Sequence, residues 1–333
     1  MPRHTLADLE ELVASDPTLG DELLDLLPQW ERSMIALGRS PATRKDYLAA
    51  GRDLHRYLKS VGMPTLLQHV GYEHVESYLA DLATRGKKPN TVNARYRALR
   101  QLFKWAAGPS NRIIRADPIR DMPVPKSEIP PTEILTQKQL DKMLAACDKT
   151  TFEGTRDLLA LRLLMEGGFR RAELVAITID DIDQANKVIK IRRGKGGKSR
   201  LVGYSPKTAS DLDRYVRART IFLRSRGLPD TYQPFWVGGQ TKSKGVGQSV
   251  GWLYWLVRNK ATAAGLGTVH PHQLRHYFAH NYLADGGQEG ELMSLGGWSS
   301  AQQIHTRYGA SLRMERALEA QRKMFERNPD RFR

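Results

Sequence analysis

Two adjacent arginines, Arg170 and Arg171, stand where the stretch GGFRRAELVAI leaves a Gly-Gly turn and enters a helix. Glycines at such a junction let backbone and ligand approach closely. In HPHQLRHYFAHNYL, His272 and Arg275 lie three residues apart and so share one face of a helical turn. Between the two groups, RRGKGGKSR offers Lys195 or Lys198 at the tip of a Gly-rich turn. Beyond them, LGGWSSAQQIHTRYG contributes Trp298 and then Tyr308. These residue types fit the breaking of a phosphodiester without a metal. That reaction needs a nucleophile for phosphorus, cations for the non-bridging oxygens, and an acid for the leaving 5′ oxygen. Arginine suits the second task because its fork meets two phosphate oxygens and keeps its charge. Taken singly, each piece also has a plain reading: a surface arginine pair at a helix start, an ordinary hairpin tip, two core aromatics. His270, His272 and His276 hint at a metal, but without a further Cys, Asp or Glu close by in sequence they do not make a site. Neither a metal nor a cofactor is therefore expected.

The elements that must position these residues can be read from periodicity. KVIKIRR and SRLVGYS alternate on either side of Gly194–Gly197, which reads as a β-hairpin. Upstream, Thr136 caps a helix over QKQLDKMLAACDK, and TRDLLALRLLMEGG forms a long apolar helix. The segment 121–135 holds four prolines and reads as a linker, because proline stiffens the chain and blocks helix. Before it, residues 29–120 read as four helices. The first two are split at Gly38–Pro41, with Ser40 as N-cap, and a third ends at Gly86. In the fourth, Val92, Tyr96, Leu99, Leu102, Phe103 and Ala106 follow helical spacing, while Arg97, Arg100 and Lys104 share another face. Residues 1–28 read as an acidic leader of one or two short helices ending at Pro28. The expectation is therefore a mainly α protein: leader 1–28, helical domain 29–120, linker 121–135, and a mostly helical domain 136–333 with a small sheet.

Composition narrows the class. The chain has 333 residues, too long for one ordinary domain, and a formal net charge of +16. The charge is uneven: the first 30 residues hold seven acids and one base, whereas residues 84–120 hold ten Lys or Arg and one acid. Clusters of this kind look like phosphate-contacting surfaces. The basic stripe could be a solvated bundle face, but with this net charge DNA contact is the favoured reading, through Arg95, Arg97, Arg100 and Lys104. In the second domain, Arg171, Arg193 and Lys198 are the matching candidates. No apolar run approaches a membrane span, and no signal-peptide core is visible, so a cytoplasmic, nucleoid-associated location is expected. The single cysteine, Cys147, excludes an internal disulfide and reads as buried filler in KMLAACDK.

The order and spacing of the motifs resemble the catalytic domain of tyrosine recombinases, the phage integrase family. The resemblance rests on Gly168-Phe169-Arg170-Arg171-Ala172-Glu173-Leu174, on Gly194-Lys195-Gly196, on His272-Gln273-Leu274-Arg275-His276, on Leu295-Gly296-Gly297-Trp298, and on Arg307-Tyr308. It covers roughly residues 133–320, and the helical domain is similar to the family's SAM-like core-binding domain. It departs from the family pattern in Gly297 before Trp298, in one added residue between Trp298 and Tyr308, and in Ala172 where serine or threonine is usual. The resemblance implies a site-specific DNA recombinase in which Tyr308 is the nucleophile and Lys195 the general acid. Arg170, His272, Arg275 and Trp298 would hold the scissile phosphate. It also implies double-stranded DNA as partner and a homo-tetramer on synapsed sites, with a monomer or dimer off DNA. The basic C-terminal segment would be either a last helix packed on its own protomer or, as is frequent in the family, a segment that docks on a neighbouring one. An acidic leader is a poor phosphate reader, so binding to arm-type sites is not expected. The alternatives are a catalytically inactive DNA-binding regulator of the same fold and a type IB topoisomerase.

Overall fold

The computed structural model describes residues 22–126, 134–192, 199–238, 247–298, 300–304, 318 and 321–327. The chain divides into two compact units, Met1–Ile129 and Pro130–Arg333.

The first unit is helical: α1 Leu23–Ala36, α2 Pro41–Ser60, α3 Tyr72–Thr84 and α4 Pro89–Ala106. Helix α1 corrects the expected end of the leader, because it runs straight through Pro28. Proline in a helix interior costs about 3 kcal/mol. Leu23, Leu26, Leu27, Trp30 and Met34 are all buried on α1, and each such burial is worth about 1.5–3 kcal/mol. Packing therefore outweighs the lost hydrogen bond. Helix α2 starts as its sequence suggests, with Pro41 in the first turn and Ser40 Oγ accepting from the Thr43 amide at 3.2 Å. Helix α4 buries the six apolar positions that periodicity marks and leaves Arg97, Arg100 and Lys104 exposed. The chain then folds back: the Tyr96 hydroxyl donates to the Met122 carbonyl (2.8 Å) and Asn93 Nδ2 to the Pro125 carbonyl (2.7 Å). Met122 is buried in the core of the first unit and Leu135 in that of the second. The boundary between the units, after Ile129, falls within the 121–135 segment, whose ends are thus anchored one in each core.

The second unit is built round α6, Phe152–Gly167, which follows α5, Gln137–Ala145. Thr136 caps α5 in a capping box with Gln139. Helix α6 is buried nearly all round, as its apolar run demands, and ends at Gly168 with φ +57°, a left-handed C-cap. A Cβ on Gly168 would approach the Phe278 ring to 2.3 Å, so only glycine fits there. The short α7, Arg171–Val175, follows directly. Strands β1 Ile182–Asp183, β2 Val188–Ile191 and β3 Arg200–Gly203 form an antiparallel sheet in that order, with Ile189 opposite Val202 and Ile191 opposite Arg200. The expected hairpin is β2–β3, and its tip, 193–198, lies outside the described residues. Strand β1, two residues long, carries too few positions for alternation to mark it. Helices α8 Pro206–Ser225, α9 Val250–Ala263, α10 Pro271–Ala284, α11 Glu289–Gly296 and α12 Ala301–Ile304 follow, and residues 321–327 are also helical. Cys147 is buried in its core, and that burial pushes the thiol pKa up to about 11. Among the described residues, no helix is long and apolar enough to cross a membrane.

Candidate active site

The site is assembled from four separate stretches of the second unit. Arg170 is the residue before α7, and its own amide donates to Glu173 Oε2 (2.9 Å), closing the first turn of that helix. Its guanidinium reaches Glu173 Oε1 from Nη1 at 2.6 Å and donates from Nη2 to the carbonyl of Gly297. Helix α7 is held in place from behind, where Trp236 Nε1 donates to the Leu174 carbonyl (2.6 Å) and the Phe235 amide to Ile177 (3.1 Å).

Arg275 is buried on α10, and its guanidinium donates to the carbonyl of Gly168, the glycine two residues before Arg170. Its guanidinium carbon lies 3.7 Å from the centre of the Trp298 ring, close enough for a cation–π contact. Trp298 owes its position to the end of α11. Gly297 caps that helix at φ +68°, and the Trp298 amide closes the turn on the Met293 carbonyl (3.1 Å). The second glycine, a departure in the sequence motif, thus has a structural role. It turns the chain in the left-handed region and aims its carbonyl at Arg170.

Sequence reading left two residues out of this site. Glu173 is 7% exposed and bridges two arginines. Arg200, at the start of β3, donates to Glu173 Oε1 (3.1 Å) and Oε2 (2.6 Å) and from Nε to the Leu295 carbonyl (2.7 Å). Burial acts to raise the Glu173 carboxyl, but the hydrogen bonds from Arg200 and Arg170 and the Arg200 charge outweigh it. The carboxyl sits below its ordinary value. The available signals were weak: Glu173 stands three residues after Arg170, and Arg200 is the last base of RRGKGGKSR.

The remaining candidates divide. His272 is exposed on the first turn of α10, its ring 5.7 Å from that of buried His276. Arg171 is exposed, 6.0 Å from the Tyr254 ring, and that ring stacks on His270, the N-cap of α10. Lys195, Arg193, Lys198 and Tyr308 lie outside the described residues. In the first unit, Arg97, Arg100 and Lys104 line an open concave surface with Arg115 and Arg120, two bases that periodicity did not place on the stripe. Arg95, also a candidate, pairs with Asp53 on α2 at 2.8 Å. Guanidinium groups bind no metal ion. A set rich in them, with an indole and an imidazole, suits a phosphate oxyanion.

Comparison with known proteins bears on this chemistry. A model of the phage integrase family matches residues 133–314, and one of the phage integrase N-terminal SAM-like domain matches residues 26–110. Tyrosine recombinase XerD of Caulobacter vibrioides is 30% identical over 266 residues, covering 77% of this chain and 82% of that protein. Tyrosine recombinase XerC of Bacillus subtilis is 24% identical over 302 residues, covering 90% and 96% respectively. The fold is shared with the lambda integrase of a tetramer bound to a Holliday junction, with a TM-score of 0.63 at 17% identity over 90% of this chain and 84% of that one. The family match spans more than half the chain and includes each motif from Arg170 to Tyr308, so the chain belongs to the phage integrase family and is a tyrosine recombinase, an enzyme of site-specific DNA strand exchange.

Proposed function

We propose that strand exchange here runs through Tyr308 and a 3′-phosphotyrosyl intermediate, with the first unit holding duplex DNA through Arg97, Arg100 and Lys104. Arg170 and Arg275 clamp the scissile phosphate, and His272 and Trp298 add contacts. A free tyrosine hydroxyl titrates near 10, so at neutral pH the attack needs His272 to accept the proton or the arginine field to stabilise the phenolate. The tyrosine oxygen attacks phosphorus, the bond to the 5′ oxygen breaks, and Lys195 protonates that oxygen. The 5′ hydroxyl of a partner strand then attacks the phosphotyrosine and releases Tyr308. The phosphoester bond is conserved throughout, so the reaction needs neither ATP nor a metal. Two sites would be held by four protomers in the cytoplasm, a reading supported by the lambda integrase tetramer.

The observation that carries this reading is the convergence of Arg170, Arg275 and Trp298, from three separate segments, on one another's backbone and rings. Tyr308→Phe should bind DNA as the parent does and form no covalent adduct on a nicked duplex. Adducts persisting in that variant would remove Tyr308 from the mechanism.

A further inference from the structure

We infer that Arg200 is a positioning residue for strand cleavage, aiming Arg170 and leaving its charge available to the phosphate. The inference rests on the reading of Arg170 as a phosphate clamp.

The argument starts from Glu173. Its carboxylate touches Arg170 through both oxygens, one to the guanidinium and one to the backbone amide. A buried carboxylate facing a single arginine would fix that arginine's direction, but it would also cancel most of its positive charge toward a phosphate. Arg200 changes the balance. It places a second guanidinium on the same carboxylate, so the trio Arg170, Glu173 and Arg200 carries one net positive charge instead of none. Its two contacts to Glu173 are a fork, the geometry that makes arginine–carboxylate pairs directional. With its side chain 10% exposed, Arg200 is shielded from competing water.

Arg200 also joins segments that are distant in sequence. It opens β3, opposite Ile191 across the ladder and two residues beyond Lys198. Its Nε holds the Leu295 carbonyl, just before the Gly296-Gly297 turn that leads to Trp298. The neighbouring Gly297 carbonyl accepts from Arg170. One guanidinium thus ties the hairpin stem, the α7 acid and the turn that carries Trp298. Lysine cannot reproduce this, because an ammonium has the charge but not the planar fork.

The test uses the full chain and a nicked duplex selected by the wild-type protein from a random-sequence pool through covalent-adduct capture. At saturating protein, the rate of adduct formation should fall by about 100-fold in Arg200→Ala, the scale seen when a preorganised donor is removed, and by about 10-fold in Arg200→Lys, which keeps the charge but loses the planar fork. The dissociation constant for DNA should stay within about threefold in both variants, because the Arg200 donors are taken up by Glu173 and the Leu295 carbonyl. Arg200→Lys, which keeps a charge beside Glu173, is the variant to read if the alanine chain does not fold. With a neutral methylphosphonate at the scissile position, the clamp on charge no longer matters. The ratio of wild-type to Arg200→Lys rates should then collapse toward one, whereas a merely structural defect would leave it unchanged. Wild-type rates in Arg200→Lys, an unchanged ratio on the neutral substrate, or a loss residing wholly in DNA affinity would each overturn the inference. Arg170→Ala, measured alongside, separates the two levels. An active Arg170→Ala overturns the clamp itself, while an inactive one beside fully active Arg200 variants overturns only the role of Arg200.

Discussion

The guanidinium carbon of Arg275 lies over the indole of Trp298, 3.7 Å from its ring centre, while the guanidinium donates to the carbonyl of Gly168, two residues before Arg170. Two arginines expected to share one phosphate are thereby linked, one through a ring and the other through the turn that ring stands on. A desolvated contact of this type is worth up to about 2 kcal/mol.

Trp298→Ala should therefore slow cleavage by about 10- to 30-fold, the rate equivalent of that interaction. Trp298→Phe keeps an aromatic face for Arg275 and should retain most of the rate. Single-turnover adduct formation measures both; a phenylalanine variant no better than alanine would show that the indole N–H matters more than the ring face.

Gly297→Ala should disturb the site without touching DNA. The backbone there has φ +68°, and a Cβ would stand 3.1 Å from Nη1 of both Arg170 and Arg200. The left-handed conformation alone costs a non-glycine residue about 1–2 kcal/mol. The expected outcome is a matching loss of stability in urea, together with a cleavage defect at unchanged DNA affinity.

Glu173 makes stability depend on pH in a stated direction. Its folded-state pKa lies below the ordinary glutamate value, so its contribution is fully present above that value and is lost as pH falls through the folded pKa. Wild type should exceed Glu173→Gln in stability by a constant margin from about pH 7 down to about pH 5, and the margin should shrink below about 4.3, the ordinary glutamate value. Thermal unfolding over a pH series measures this, and a margin unchanged at pH 3 would count against it.

Removing the basic stripe should change how DNA binding responds to salt. The triple variant Arg97→Ala, Arg100→Ala, Lys104→Ala should bind more weakly, and its slope of log affinity against log salt should flatten by about 2–3, close to 0.9 for each phosphate no longer neutralised. Arg95→Ala should leave the slope alone, because Arg95 is occupied by Asp53. Its cost should fall on stability instead, at about 0–1 kcal/mol for a partly exposed pair.

Sequence alone settled whatever depends on neighbours along the chain. The helix faces of α4, the caps at Ser40 and Thr136 and the β2–β3 pairing follow from periodicity and short-range chemistry, and the order of the arginine, histidine, tryptophan and tyrosine motifs is legible through the family resemblance. Tertiary structure decided what depends on contacts across long stretches. Arg170 meets Gly297 across 127 positions, Arg275 meets Gly168 across 107, and Arg200 meets Glu173 across 27. The same holds for Pro28, kept inside a helix by the core beneath it, and for Arg95, drawn to Asp53 on a neighbouring helix. Propensity and charge count act locally, whereas a carboxylate shared by Arg170, on its own helical turn, and Arg200, on a strand, exists only once the fold has brought two segments to one place.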